Sequence, residues 1–163
     1  MKLLILGAGG HGRVVRETAQ AMNLFEEIAF LDDNAADALG KLEELPRFLE
    51  EFDCAMVAMG NPRLRREQQT RLEKLGAKLP PVIHPRSMVS PSAKIGEGTV
   101  IMAGAVVQTN AVIGCGCILS AGAIVDHDAR LGDYCHINAG AMVPSMAEVP
   151  ENTKVDYGQV FSR

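Results

Sequence analysis

Val125, Asp126, His127 and Asp128 put one imidazole between two carboxylates. An unperturbed histidine titrates near pH 6.5, so its neutral ring can take up a proton at physiological pH. A neighbouring carboxylate fixes which ring nitrogen carries hydrogen and stabilises the imidazolium that forms. The trio suits general-base chemistry; its plain alternative is an exposed, salt-bridged turn. Far upstream, Gly7, Gly9 and Gly12 satisfy G-x-G-x-x-G, with Asp32 and then Asp33, twenty-one residues beyond Gly12. Glycines at those positions let backbone N–H groups approach a phosphate, whose charge a helix N-terminus favours. Carboxylates after a second strand suit a ribose or a base edge. A tight strand-to-helix turn without ligand is the other reading. His11, inside the turn, either meets a ligand or caps local carbonyls.

Other candidates read more plainly. His136 lines a subunit contact unless it meets a ligand, and His84, next to Pro85, is structural. Arg63, Arg65 and Arg66 read as a solvated helix face in preference to a phosphate site. Tyr134 and Asn138 receive no chemistry. Cys54, Cys115, Cys117 and Cys135 show no CxxC pair and no zinc spacing with histidine. Cys117 and Cys135 read as small interior filler.

Two kinds of element must position these groups. From Pro81 to Val155 every sixth residue from Ile83 onward is a branched aliphatic, and two residues before each stands a small one such as Ala105, Ala111 or Cys117. Neither a helical period of 3.6 nor strand alternation keeps both columns clean over that length. A hexapeptide repeat does, and it predicts a parallel β-helix in which eighteen residues make one coil. The segment is long enough for about four coils. In that register His127 follows the buried Val125 onto an outer turn. Before Pro81 the grammar is that of alternating strands and helices. Lys2–Leu6, Ile28–Leu31, Cys54–Met59 and Leu79–Ile83 read as strands, and Arg13–Met22 and Pro46–Glu51 as helices. A further helix starts at an Asn61 cap with Pro62 at its first position and turns Leu64, Gln68, Leu72 and Leu75 inward. That alternation means a parallel sheet with helices on its faces, half a Rossmann unit in size. The boundaries fall at residues 1–80 and 81–163.

Composition narrows the classes. The 163 residues carry a net charge of −4 with no basic run, which argues against nucleic acid as a partner. The opening apolar run is too short for a signal peptide or a membrane span, so a cytoplasmic protein is expected.

Several motifs occur together and in order: the G-x-G-G-H-G turn, Phe30–Asp33, Ala58–Asn61, Ile83–Pro85 and Val125–Asp128. With them the chain resembles, over essentially its whole length, the NeuD/PglD-like sugar acetyltransferases. These act on sialic acid oxygens or on UDP-4-amino-sugars. The resemblance implies an α/β half-Rossmann domain followed by a left-handed parallel β-helix. It also implies a homotrimer that binds acetyl-CoA as co-substrate in clefts between β-helices, with no metal. Carried over by position, Gly9, Gly10 and His11 would meet a nucleotide-sugar, UDP-linked by preference, with Asp32 and Asp33 on its uridine side and Gly60 close by. His127 would be the general base, Asp128 the acid that raises its basicity, and His136 an acyl-CoA contact. Ser120 stands where relatives often carry Asn, and the coil region is shorter than theirs, although Ala141–Gly158 resembles their closing segment.

The resulting expectation is acyl transfer from CoA to an amino or hydroxyl group of a nucleotide-linked or free sugar. The rival is a catalytically silent nucleotide-sugar-binding trimer. A nicotinamide oxidoreductase is disfavoured by the half-sized α/β domain.

Overall fold

The structure is a computed structural model that describes residues 1–162. The chain divides into two compact units, the first being Met1–Pro80 and the second starting at Pro81. The first is built on a three-stranded parallel sheet in the order β2 (Glu27–Leu31), β1 (Lys2–Leu6), β3 (Cys54–Val57). Leu4 pairs with Ala29 on one side and Ala55 on the other. A central parallel strand is covered on both faces, and Leu3 through Leu6 are accordingly fully buried. Helix α1 (Gly10–Ala21) follows β1, a 3-10 turn (Leu42–Glu44) leads into α2 (Leu45–Leu49), and α3 (Pro62–Lys74) follows β3.

Three expectations need correction here. The strand placed at Leu79–Ile83 begins only at Val82, because Pro80 and Pro81 have no N–H to give to a ladder. The inward face of α3 keeps Leu72 as read but otherwise differs. Arg65, Gln69 and Leu72 are buried, whereas Leu64 and Leu75 are about half exposed at 47% and 46%. The three arginines are not all on a solvated face. Arg65 is 1% exposed, and its Nη1 donates to the carbonyls of Met59 (2.7 Å) and Gly60 (3.1 Å). Those carbonyls lie in the turn before α3, where acceptors need donors, and a guanidinium meets that need. On α1, Val15, Thr18 and Ala19 are buried, while Val14 is exposed.

The second unit is a left-handed parallel β-helix. Thirteen two-residue strands run from Val82–Ile83 to Lys154–Val155 and stack into three ladders of five, four and four strands. Ile118 pairs with Val100 on one side and His136 on the other, a step of eighteen residues. That is the predicted coil length. Ile101, Leu119 and Ile137 fill the interior of one ladder with no exposed surface, and Ala105, Ala123 and Ala141 are buried at the corners. Such stacking leaves little slack. Ile137→Val removes one interior methylene and is expected to destabilise the protein by about 1 kcal/mol, read as a lowered midpoint in thermal or denaturant unfolding. A wild-type midpoint would show a core looser than this one.

Most of the corners turn through left-handed backbone. From Gly98 to Gly158 a positive φ recurs at every sixth residue. Asn110, Asp128, Tyr134, Met146 and Asn152 hold this conformation without being glycine. Asn and Asp tolerate it better than other side chains do.

Candidate active site

The glycine turn is shaped by contact between backbones. Gly7 has φ +102°, and a Cβ on Gly12 would lie 2.1 Å from the Gly7 carbonyl oxygen. The start of α1 therefore presses directly on the end of β1. Gly9 and Gly10 differ, because a Cβ on either meets nothing within 4 Å. Gly9 is the N-cap of α1 and offers no side-chain cap, and the first turn carries no acidic residue. The amides of that turn are the usual unsatisfied donors of a helix start. His11 is half-buried within the turn.

The two aspartates after β2 stabilise this region from within. Asp32 accepts from the backbone N–H of Ala8 (2.8 Å), Asn34 (2.9 Å) and Ala35 (3.0 Å). The Ala8 bond, followed by that from Asn34, holds its carboxyl below the usual carboxylate range. Asp33 accepts from the Leu42 N–H at 3.0 Å. Asp37 receives a bidentate pair from Arg13 at 2.7 and 2.8 Å, tying the loop beyond β2 to α1. Gly60 leaves open space where a Cβ would stand. Asn61 caps α3 as read, accepting from Arg63 N (3.0 Å) and Leu64 N (3.2 Å).

In the second unit the reactive group sits on a corner. His127 and Asp128 form the turn between strand Ile124–Val125 and strand Arg130–Leu131. Asp128 takes the left-handed position with φ 60°. That backbone sets the two side chains side by side, and His127 Nδ1 lies 2.8 Å from Asp128 Oδ2. The His127 backbone N–H donates to Asp126 Oδ1 at 2.7 Å. About half of each side chain is exposed, so the ring is open to a reactant.

Hydrogen bonding to Asp128 raises the imidazole above its ordinary value, and the charge of Asp126 adds to this against partial desolvation. Asp128 is lowered first by His127 and then by a bond from Asn110 Nδ2 at 3.1 Å. An ionised carboxylate only accepts, so Nδ1 carries the hydrogen and the lone pair of the neutral ring is on Nε2. A raised folded-state value means that pairing favours the native state fully below about pH 6.5, and that this contribution fades as pH rises through the folded value. An NMR titration should accordingly place the His127 midpoint above 6.5, and Asp128→Asn should bring it back down. A midpoint unmoved by Asp128→Asn would contradict the pairing.

His136 is elsewhere on the prism. Its strand, His136–Ile137, belongs to the five-stranded ladder, whereas the His127 corner joins the other two ladders. Within one chain the two histidines are thus not brought together. His136 Nε2 lies 3.1 Å from Ser120 Oγ, one coil away. Asn138 is buried, and its amide donates to the Val155 carbonyl at 2.9 Å, a structural bond. Among the described residues no group of three or more His, Cys, Asp or Glu is arranged to hold a metal ion, and no helix is long and apolar enough to cross a membrane. Sequence reasoning missed Asn110. The available signal was its spacing of eighteen residues from Asp128 in a column of corner residues.

Comparison with known proteins agrees with this fold. Residues 2–72 match the PglD N-terminal domain, and residues 110–145 match the bacterial transferase hexapeptide (six repeats). The chain is 40% identical to the acetyltransferase domain of PglB from Neisseria gonorrhoeae FA1090, solved with acetyl coenzyme A. The match covers 98% of this chain and 80% of that one, with a TM-score of 0.89. Perosamine N-acetyltransferase from Caulobacter crescentus, solved as an asparagine-for-histidine mutant with CoA and GDP-perosamine, is 30% identical with a TM-score of 0.91. That match covers 100% of this chain and 89% of the other. UDP-N-acetylbacillosamine N-acetyltransferase from Bacillus subtilis (strain 168) is 38% identical over 109 residues, 61% of this chain. The chain spans about half the length of that curated relative, at 50%. With a glycine turn after β1, an eighteen-residue coil and a corner imidazole held by a carboxylate, the chain belongs to the NeuD/PglD-like family of hexapeptide-repeat sugar acetyltransferases.

Proposed function

We propose that the protein transfers an acetyl group from acetyl-CoA to the amine of a nucleotide-linked amino sugar. The observation that carries this reading is the 2.8 Å contact between His127 and Asp128 on a half-exposed corner. It leaves Nε2 as a base facing outward. As the sugar amine attacks the thioester carbonyl carbon, Nε2 takes its proton, and Asp128 stabilises the imidazolium. Collapse of the tetrahedral intermediate breaks the C–S bond, and the proton passes to the departing CoA sulfur.

In the first unit, Gly9, Gly10 and the opening amides of α1 hold the diphosphate, with His11 and Gly60 beside the ligand. Asp32 shapes this pocket through its three backbone bonds, and Asp33 stands at the nucleoside side. UDP is the favoured carrier, because the relative from Bacillus subtilis is named for a UDP-linked sugar, although GDP-perosamine occupies the Caulobacter crescentus enzyme. His136 serves as the acyl-CoA contact.

The working form is a homotrimer in the cytoplasm. Two features support the assembly. His127 and His136 lie on different sides of one prism, so a site that uses both needs a second chain. The prism faces also differ in character. One presents Met88, 70% exposed, with Val106, Ile124 and Met142 partly exposed, while another presents Lys94, Arg130 and Glu148. An apolar face of that kind on a small prism gains by covering.

The test is thiol release from acetyl-CoA with a panel of UDP- and GDP-linked amino sugars. Release that depends on the amino sugar supports the reading. UDP-sugar binding without release from any member would favour a silent binding trimer instead.

A further inference from the structure

We propose that Asn110 is a positioning residue for the His127–Asp128 pair, acting by fixing one carboxylate oxygen so that the other stays aimed at the imidazole. This inference rests on the reading of His127 as base.

The geometry is a column along one corner of the prism. Ser92, Asn110 and Asp128 occupy equivalent positions on successive coils, eighteen residues apart. Ser92 Oγ accepts from the Asn110 backbone N–H at 3.0 Å, and Asn110 Nδ2 donates to Asp128 Oδ1 at 3.1 Å. Asp128 Oδ2 then takes His127 Nδ1 at 2.8 Å. Each carboxylate oxygen thus has its own donor, one structural and one catalytic. Asn110 and Asp128 both stand in left-handed backbone, φ 59° and 60°, which directs their side chains along the same corner. On the next coil the equivalent residue is Met146, φ 58°, which cannot continue the relay. The column of hydrogen bonds therefore begins at Ser92 and ends at the reactive ring. A carboxylate on an exposed corner with a single partner would rotate about its side-chain bonds. The amide of Asn110 removes that freedom and sets the direction of Nε2.

The charged groups around the ring are Asp126 and Asp128, with Arg130 acting on Asp128 from the following strand. None comes from the coil that bears Asn110, so a substitution there adds or removes one defined influence. Asn110→Gly keeps the left-handed corner and removes the exposed side chain with its amide. It is expected to lower kcat roughly three- to tenfold, the worth of one hydrogen bond, with KM for acetyl-CoA unchanged. Asn110→Asp places a second carboxylate beside Asp128, so the His127 NMR midpoint and the rising limb of the pH–rate profile should both move to higher pH.

His127→Ala separates the two claims. Full activity in that variant would sink the base assignment itself. A silent His127→Ala, together with Asn110→Gly at parental kcat and Asn110→Asp at the parental His127 midpoint, would overturn the role of Asn110 while leaving the base in place.

Discussion

His127→Ala should lower kcat by roughly a hundred- to ten-thousandfold, the contribution of a well-placed general base. The expectation follows from the pair geometry. Nδ1 is engaged by Asp128 at 2.8 Å, so Nε2 is the ring atom left to accept the proton of the acceptor. Because the side chain is half exposed, its removal opens no cavity, and the melting temperature should stay near that of the parent. Affinity for the nucleotide-sugar, held in the proposal by residues of the first unit, should also persist. The measurement is steady-state thiol release alongside calorimetric binding. A variant with intact binding and parental kcat would show that the imidazole does no chemistry.

The second large effect lies in the glycine turn. Gly12→Ala should destabilise the first unit by about 3 kcal/mol or more, because its Cβ would stand 2.1 Å from the Gly7 carbonyl oxygen. The obstacle is backbone, not a side chain that can swing aside, so strand and helix must separate. Nucleotide-sugar binding should be lost with the turn. Gly10→Ala is the informative contrast. It meets nothing within 4 Å and sits where helix propensity favours alanine, so the fold should hold while diphosphate affinity falls. Equal affinity in Gly10→Ala and the parent would remove the turn from the binding site, and an undisturbed Gly12→Ala fold would refute the packing argument.

The repeat was legible in the sequence because it is dictated by space. Only small residues fit positions such as Ala123, and only branched aliphatics fill positions such as Leu119, so both columns are written into composition at fixed spacing. The corner of His127 was legible for the same reason, since it is counted from Val125. What escaped depends on partners distant in sequence. Arg65 is a charged residue at a helix start, and the Met59 and Gly60 carbonyls that accept from it account for its burial. Leu64 and Leu75 looked inward by hydrophobicity, but the buried face of the helix is made by Arg65, Gln69 and Leu72. Asn110 gives no local signal, because its value lies in meeting Asp128 one coil later. Tyr134 and Met146 hold left-handed corners that composition alone would not assign to them. At the junction, the consecutive prolines Pro80 and Pro81 would have argued for the later strand start had their missing N–H groups been counted.

The most direct trial of the account is a crystal structure grown with CoA and a UDP-linked amino sugar. The account predicts the acceptor amine within hydrogen-bond reach of His127 Nε2, about 2.6–3.2 Å, with the CoA sulfur on the far side of that amine. A structure in which both ligands bind elsewhere and Nε2 faces only bulk water would contradict it.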